Sequence, residues 1–144
     1  MRKLVALLSL GAVTALALTA VSLAATHGAS WSTKLTVAQE VPKQAVADTA
    51  ASGAFTATLT GKTLKWKLSF SKLTGPATAA HIHLGGKGKA GNVVVALCGP
   101  CETGMTGTAR ITPALMKDFT KHLLYVNVHT AKNAAGEIRG QLGG

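Results

Sequence analysis

Acidic side chains are scarce in this chain, with five Asp and Glu against fifteen Lys and Arg among 144 residues. They are also scattered, at Glu40, Asp48, Glu102, Asp118 and Glu137. No pair is spaced for the acid–base work of a carboxylate hydrolase. Aromatic residues make up only 4%, and Phe55, Trp66 and Phe70 fall on apolar stripes. That removes the exposed stacking platforms used by binders of single-stranded nucleic acid. Two cysteines are too few for a scaffold built on disulfides. There is no G-x-S-x-G nucleophile turn and no internal repeat. Strands do not alternate with helices, which excludes a doubly wound α/β fold. The length allows one domain, with or without an appendage, and no multidomain enzyme.

The first residues read as an address. Arg2 and Lys3 precede an uncharged apolar run, Leu4–Ala20, and then the small-residue stretch Val21–Ala25. Positive charge, apolar helix and small side chains follow in the order of a secretory signal. Ser22 and Ala24 occupy the −3 and −1 positions for a cut after Ala24. An uncleaved anchor is the alternative, but no positive flank follows the run. No Cys closes it, and Arg2-Lys3 is not a twin-arginine pair. The expectation is a signal peptide over 1–24, a flexible tail over 25–31, and a folded domain over 32–142. The mature protein would be secreted or held at the cell envelope. It would have 120 residues, thirteen cations against five acids, a net charge of +8, and no transmembrane segment.

Beyond the signal, apolar residues recur with period two. Trp31, Thr33, Leu35 and Val37 alternate with polar residues, as do Phe55, Ala57 and Leu59. Gly61-Lys62 reads as a tight turn, followed by Leu64, Trp66, Leu68 and Phe70 alternating with Lys65, Lys67, Ser69 and Ser71. Further strands are predicted at Ala79–Leu84, Asn92–Leu97, Gly104–Ile111, Leu123–His129 and Glu137–Leu142, with Gly- and Pro-rich turns between them. Thr112 as N-cap and Pro113 in the first turn predict one short helix, about 113–121. The pattern predicts an all-β fold: an immunoglobulin-like or Greek-key antiparallel β-sandwich with one short helix.

Three histidines stand out. His81 and His83 flank Ile82 in a strand, so both imidazoles leave one face with their Cα atoms roughly 7 Å apart. His129 ends a later strand, on the face it shares with Tyr125 and Asn127. If the two strands are neighbours, three imidazoles can converge on one ion, and imidazole suits Zn, Cu, Fe and Ni. That requires their nitrogens to approach within about 4 Å of one another. The plainer reading has His81 and His83 bonded to turn backbones and His129 closing a strand end. His122 reads as a surface residue beyond the helix. His27 reads first as a tail residue, and becomes the third residue of an amine–amide–imidazole site for Cu(II) or Ni(II) if cleavage leaves Ala25 first.

Cys98-Gly99-Pro100-Cys101 spells C-x-x-C, but a strand pattern, not a helix, follows it. A disulfide pinning a turn is expected, with metal ligation second and thiol redox chemistry third. Gly86, Gly88 and Gly91 spell G-x-G-x-x-G, yet Val93–Val95 follow as a strand where a dinucleotide site needs a helix. A flexible basic loop is what remains there. Glu137 shares a strand face with Arg139 and reads as a surface ion pair or as support for a ligating histidine. The positive charge points to an unknown protein or an anionic envelope polymer as partner, not nucleic acid.

Several motifs together resemble the CHRD (chordin) domain family. They are Phe70–Pro76, Ala79-Ala80-His81-Ile82-His83-Leu84-Gly85, Val93–Val95, Tyr125-Val126-Asn127-Val128-His129-Thr130 and Asn133–Leu142. The resemblance spans about Ser32 to Leu142. It implies a small extracellular β-sandwich, found in animals in a growth-factor binder and in bacteria as a single exported domain. It carries no catalytic residues. The histidine pair with a third on a later strand also looks like the copper site of copper–zinc superoxide dismutases, but that family's full histidine set and zinc ligands are missing. The leading expectation is therefore an exported, non-enzymatic binding or structural module. The alternative is a copper-binding or copper-redox protein using His81, His83 and His129; no cofactor is certain from the sequence, and copper is the candidate.

Overall fold

Period-two alternation governs nearly every strand of the computed structural model, which describes residues 28–44 and 50–143. The expected signal peptide over 1–24, His27 and Asp48 lie outside the described residues. The strands are β1 (Ala29–Thr36), β2 (Ser52–Thr60), β3 (Thr63–Ser71), β4 (Ala77–Leu84), β5 (Val93–Cys98), β6 (Thr106–Arg110), β7 (Leu124–Thr130) and β8 (Ile138–Leu142). One helix, α1 (Pro113–Thr120), joins β6 to β7. Residues 29–31, expected in a flexible tail, already belong to β1, paired with Leu59, Thr58 and Ala57.

The all-β class and the single short helix match expectation, but the immunoglobulin-like arrangement of two separate sheets is not confirmed. The eight strands form one antiparallel sheet in the order β5-β4-β7-β8-β1-β2-β3-β6. Its two outer strands, β5 and β6, come back into contact, so the sheet is nearly closed like a barrel. β8 and β1 share one registered pair, Thr36 with Arg139. The molecule therefore has two four-stranded halves that share little ladder but pack closely, Gly140 of β8 lying against Thr33 and the Lys34 carbonyl of β1. On one side of the shared pair the ladder stops because Val37–Gln39 turns into a short 3-10 helix just after Thr36.

Inside lie Leu35, Phe55, Leu64, Leu68, Ile82, Val126, Val128 and Ile138, all at 0% exposure. Each such side chain stabilises the fold by roughly 1.5–3 kcal/mol. The β2–β3 hairpin turns on Gly61-Lys62, between Thr60 and its partner Thr63. Gly61 has φ +60°, the left-handed conformation that a two-residue hairpin asks of its first residue. In α1 the Thr112 hydroxyl accepts from the Leu115 N–H at 3.2 Å, while Leu115 and Phe119, one turn apart, face the core. The Phe119 ring lies 4.6 Å from that of Trp31 on β1.

Candidate metal centre

In β4, Ala80 and Ile82 enter the core, so His81 and His83 leave from the other face. β7 lies directly beside β4, with His81 opposite Asn127 and His83 opposite Tyr125. His129, two residues beyond Asn127, is thus the diagonal neighbour of His81, within side-chain reach. The ring centroids of His81, His83 and His129 lie 4.9–5.8 Å apart. One nitrogen from each ring falls within 4.8 Å of the other two.

The hydrogen bonds fix which nitrogens are free. A carbonyl oxygen only accepts, so His83 Nδ1 donates to Gly91 O at 3.0 Å and His129 Nδ1 donates to Ala134 O at 3.0 Å. Both Nε2 atoms therefore keep a lone pair. His83 Nε2 is buried with no hydrogen-bond partner, a cost of roughly 1–3 kcal/mol unless something fills the position. His129 Nε2 lies 3.1 Å from His81 Nδ1, which donates to it. The plain reading holds for His83 but not for His81, whose partner is His129 and not a turn carbonyl. Each turn carbonyl orients an imidazole, of His83 or His129, whose other nitrogen faces the cluster. Carbonyls play this part behind metal-bound histidines generally.

Distances fit a shared ion at one end and need movement at the other. With bonds of about 2.05 Å, a 3.1 Å nitrogen pair subtends about 100°, acceptable to tetrahedral and tetragonal ions once the proton on His81 Nδ1 has moved to its Nε2. Two such bonds in line span only about 4.1 Å, so a pair at the 4.8 Å limit must close by roughly 0.7 Å. His81 is the least buried of the three, and closing the gap falls to it at the cost of its bond to His129. Burial holds all three imidazoles below the ordinary histidine range. The Gly91 carbonyl opposes this at His83, where the charges of His81 and Arg139 reinforce it. The Ala134 carbonyl opposes it at His129, where His81 and His83 reinforce it. They are neutral at pH 7, the form that binds metal.

Around the cluster lies a polar layer that hydropathy does not reveal. All seven residues of β7 are buried, on both faces. The Tyr125 ring stacks on His83 at 4.9 Å with planes 9° apart, and the Arg139 guanidinium lies 3.5 Å over the same ring. Arg139, at 1% exposure, donates from Nη2 to Gly86 O, Lys89 O and Gln141 Oε1. Gln141 Nε2 donates to Gly85 O, and the Gly91 N–H donates to the Tyr125 hydroxyl. The glycine loop is therefore not the flexible basic loop expected. Its backbone carbonyls at Gly85, Gly86 and Lys89 are pinned by Arg139 and Gln141, while residues 87–91 are exposed, Lys87 and Lys89 among them.

Glu137 departs further from expectation. It is fully buried, not a surface ion pair. Its Oε1 accepts the Thr74 N–H at 2.6 Å, and its Oε2 accepts from Thr74, Thr130 and Asn133. Burial alone would raise its pKa, but these bonds outweigh it and hold the carboxyl below the ordinary range. The carboxylate closes the turn that carries Ala134 O, and so positions His129. Glu40, read only as part of a polar stretch, is 2% exposed and accepts from Asn127 Nδ2 at 2.7 Å. Burial pushes it up to about 7, against the Asn127 bond and the Arg139 charge.

The Cys98 and Cys101 sulfurs are 2.10 Å apart, at disulfide distance. Cys98 ends β5, Cys101 bridges to Ala77, and no helix starts there. His122 is exposed beyond α1, away from the cluster.

An all-β domain with a three-histidine cluster under pinned loops is the class that fold and site define. The chain belongs to the CHRD domain family, whose family model matches residues 31–142. No curated protein and no solved structure matches it. No helix among the described residues is long and apolar enough to cross a membrane.

Proposed function

We propose that this CHRD domain is a metal-binding module working outside the cytoplasm, with His81, His83 and His129 holding one transition-metal ion. The observation that carries the reading is the orphaned, buried His83 Nε2 beside two further imidazole nitrogens. Copper is the favoured ion, because three neutral imidazoles suit it and Cu(II) stands highest in the affinity order of divalent first-row metals. The charge-then-apolar pattern of residues 2–25 supports export, as does a cysteine pair at disulfide distance, a bond that oxidising compartments preserve. The reading assigns no reaction. The companion reading, an envelope module that meets an anionic polymer, draws on the excess of cations.

A copper titration of the protein tests the metal reading, using a His27→Ala background so that an N-terminal site is not counted. One equivalent is expected to bind, and His83→Ala is expected to weaken it by about a hundredfold or more, since even outer-shell changes cost 10- to 100-fold. Equal affinity in the folded variant contradicts the assignment.

A further inference from the structure

The molecule's other half carries a surface of different character. On β1, β2, β3 and β6 the outward positions form cross-strand rows set by register. One row is Ser32, Thr56, Lys67, Thr106, and the next is Ser30, Thr58, Lys65, Thr108. Lys34 lies in the row of Ala54 and Ser69, and Arg110 in the row of Thr60 and Thr63. None of these four strands contains an Asp or Glu, and their outward side chains include no aromatic or large aliphatic residue. The inward ones, Phe55, Leu59, Leu64 and Leu68, are buried. The two lysine rows border a shallow depression of about 440 Å³, walled by the Lys and Thr side chains of those rows and floored by Ala57, Gly107 and the Trp66 ring, which is 6% exposed.

We infer that this face is a docking surface for an extended anionic polysaccharide, with Lys34, Lys65, Lys67 and Arg110 meeting its acidic groups and the hydroxyl rows meeting its sugar hydroxyls. The inference rests on the companion reading above, an anionic polymer as partner, and is independent of the metal. Charge complementarity selects an anion, because four cations share a face without a single acid, and their fields add over that surface. The flat array, with strands about 4.8 Å apart and same-face residues nearly 7 Å apart along each strand, suits an extended chain. Nucleic acid is disfavoured because Trp66, the ring that lines the depression, is buried and offers no exposed stacking platform. A lipid surface is disfavoured because no apolar side chain is available to insert.

Binding to dextran sulfate, polygalacturonate and neutral dextran is the test, measured at about 50 mM salt and again near 200 mM, a range over which polyanion binding weakens steeply. The two charged polymers are expected to bind, dextran is not, and affinity falls as salt rises. Lys65→Gln/Lys67→Gln is expected to weaken binding about tenfold and flatten the salt dependence by close to the two charges removed. Lys121→Gln/Lys132→Gln, the same charge loss at exposed positions elsewhere, is expected to change binding less than twofold. Lys34→Gln serves as a second face variant should the double variant melt early. Equal losses from both double variants, or none from the face variants, overturn the surface while leaving a polymer partner standing. No binding of either charged polymer by the wild type overturns both. A single-stranded oligonucleotide that binds through Lys65 and Lys67 more tightly than either glycan also overturns the proposal.

Discussion

Glu137 shows how one buried residue can decide a site it never touches. Four donors converge on its carboxylate, and hydrogen bonds to a charged group are worth roughly 1.5–3 kcal/mol each. A glutamine there turns one acceptor into a donor facing other donors. Glu137→Gln is expected to destabilise the domain by about 3 kcal/mol or more, read as a lower urea midpoint at unchanged slope. A midpoint shift within error would show that water replaces the carboxylate freely. The sequence put Glu137 on the same strand face as Arg139 and suggested a surface pair. Only the tertiary fold brings Thr74, from the β3–β4 connection, onto it. His81, His83 and His129 were legible because spacing alone sets their face. The turn carbonyls that orient two of them were not, since Gly91 and Ala134 have no side chain that announces a role.

Among the elements, the strands were the most legible and their coverage the least. Alternation located β2, β3 and β4 closely because one face of each meets a continuous apolar core. It gives no sign that the polar face of β7 is as buried as its apolar one. Tyr125 lies under the loop between β4 and β5, which Arg139 and Gln141 hold in place. Asn127 is covered by Glu40 and Gly136, and His129 by the turn at Ala134. A usable signal existed in the run of Glu137, Arg139 and Gln141 on the adjoining strand, all able to satisfy buried partners. The formal dinucleotide motif in the loop was rightly set aside, and its last glycine has a steric purpose. A Cβ on Gly91 would collide with the carbonyl oxygen of Leu84. Gly91→Ala is expected to displace the loop, release His83 Nδ1 from Gly91 O, and cost about 1–3 kcal/mol, in the range of overpacking. Amide exchange should then quicken at Gly91, whose N–H bonds Tyr125, while β2 and β3 stay protected. Unchanged exchange throughout would mean that the loop absorbs the methyl group without moving.

For the whole molecule, two buried families of titrating groups pull stability in opposite directions. Glu40 has its pKa raised from 4.5 to about 7, so the folded state holds a proton that the unfolded state has lost. Its contribution is fully present below about pH 4.5 and fades as pH rises to 7, by up to roughly 3 kcal/mol. The three histidines have lowered pKa values, so their contribution is present above the unfolded value of 6.5 and is lost as pH falls below it. Glu40→Gln retains the acceptor for Asn127 and isolates the first effect. The variant is expected to match wild type near pH 4.5 and exceed it by up to about 3 kcal/mol at pH 8. A difference independent of pH would contradict the buried, neutral Glu40.

The two halves of the sheet have divided roles in this account, with a cationic outer face on β1, β2, β3 and β6 and a buried histidine cluster on β4 and β7. The histidine cluster is its centre, and counting imidazoles on bound copper by X-ray absorption tests it most directly. The sample is the His27→Ala protein loaded with one equivalent of copper at pH 7. Three imidazole nitrogens at about 2.0 Å, falling to two in His83→Ala, is the predicted result. One or no imidazole, or a spectrum unchanged by His83→Ala, would contradict the site.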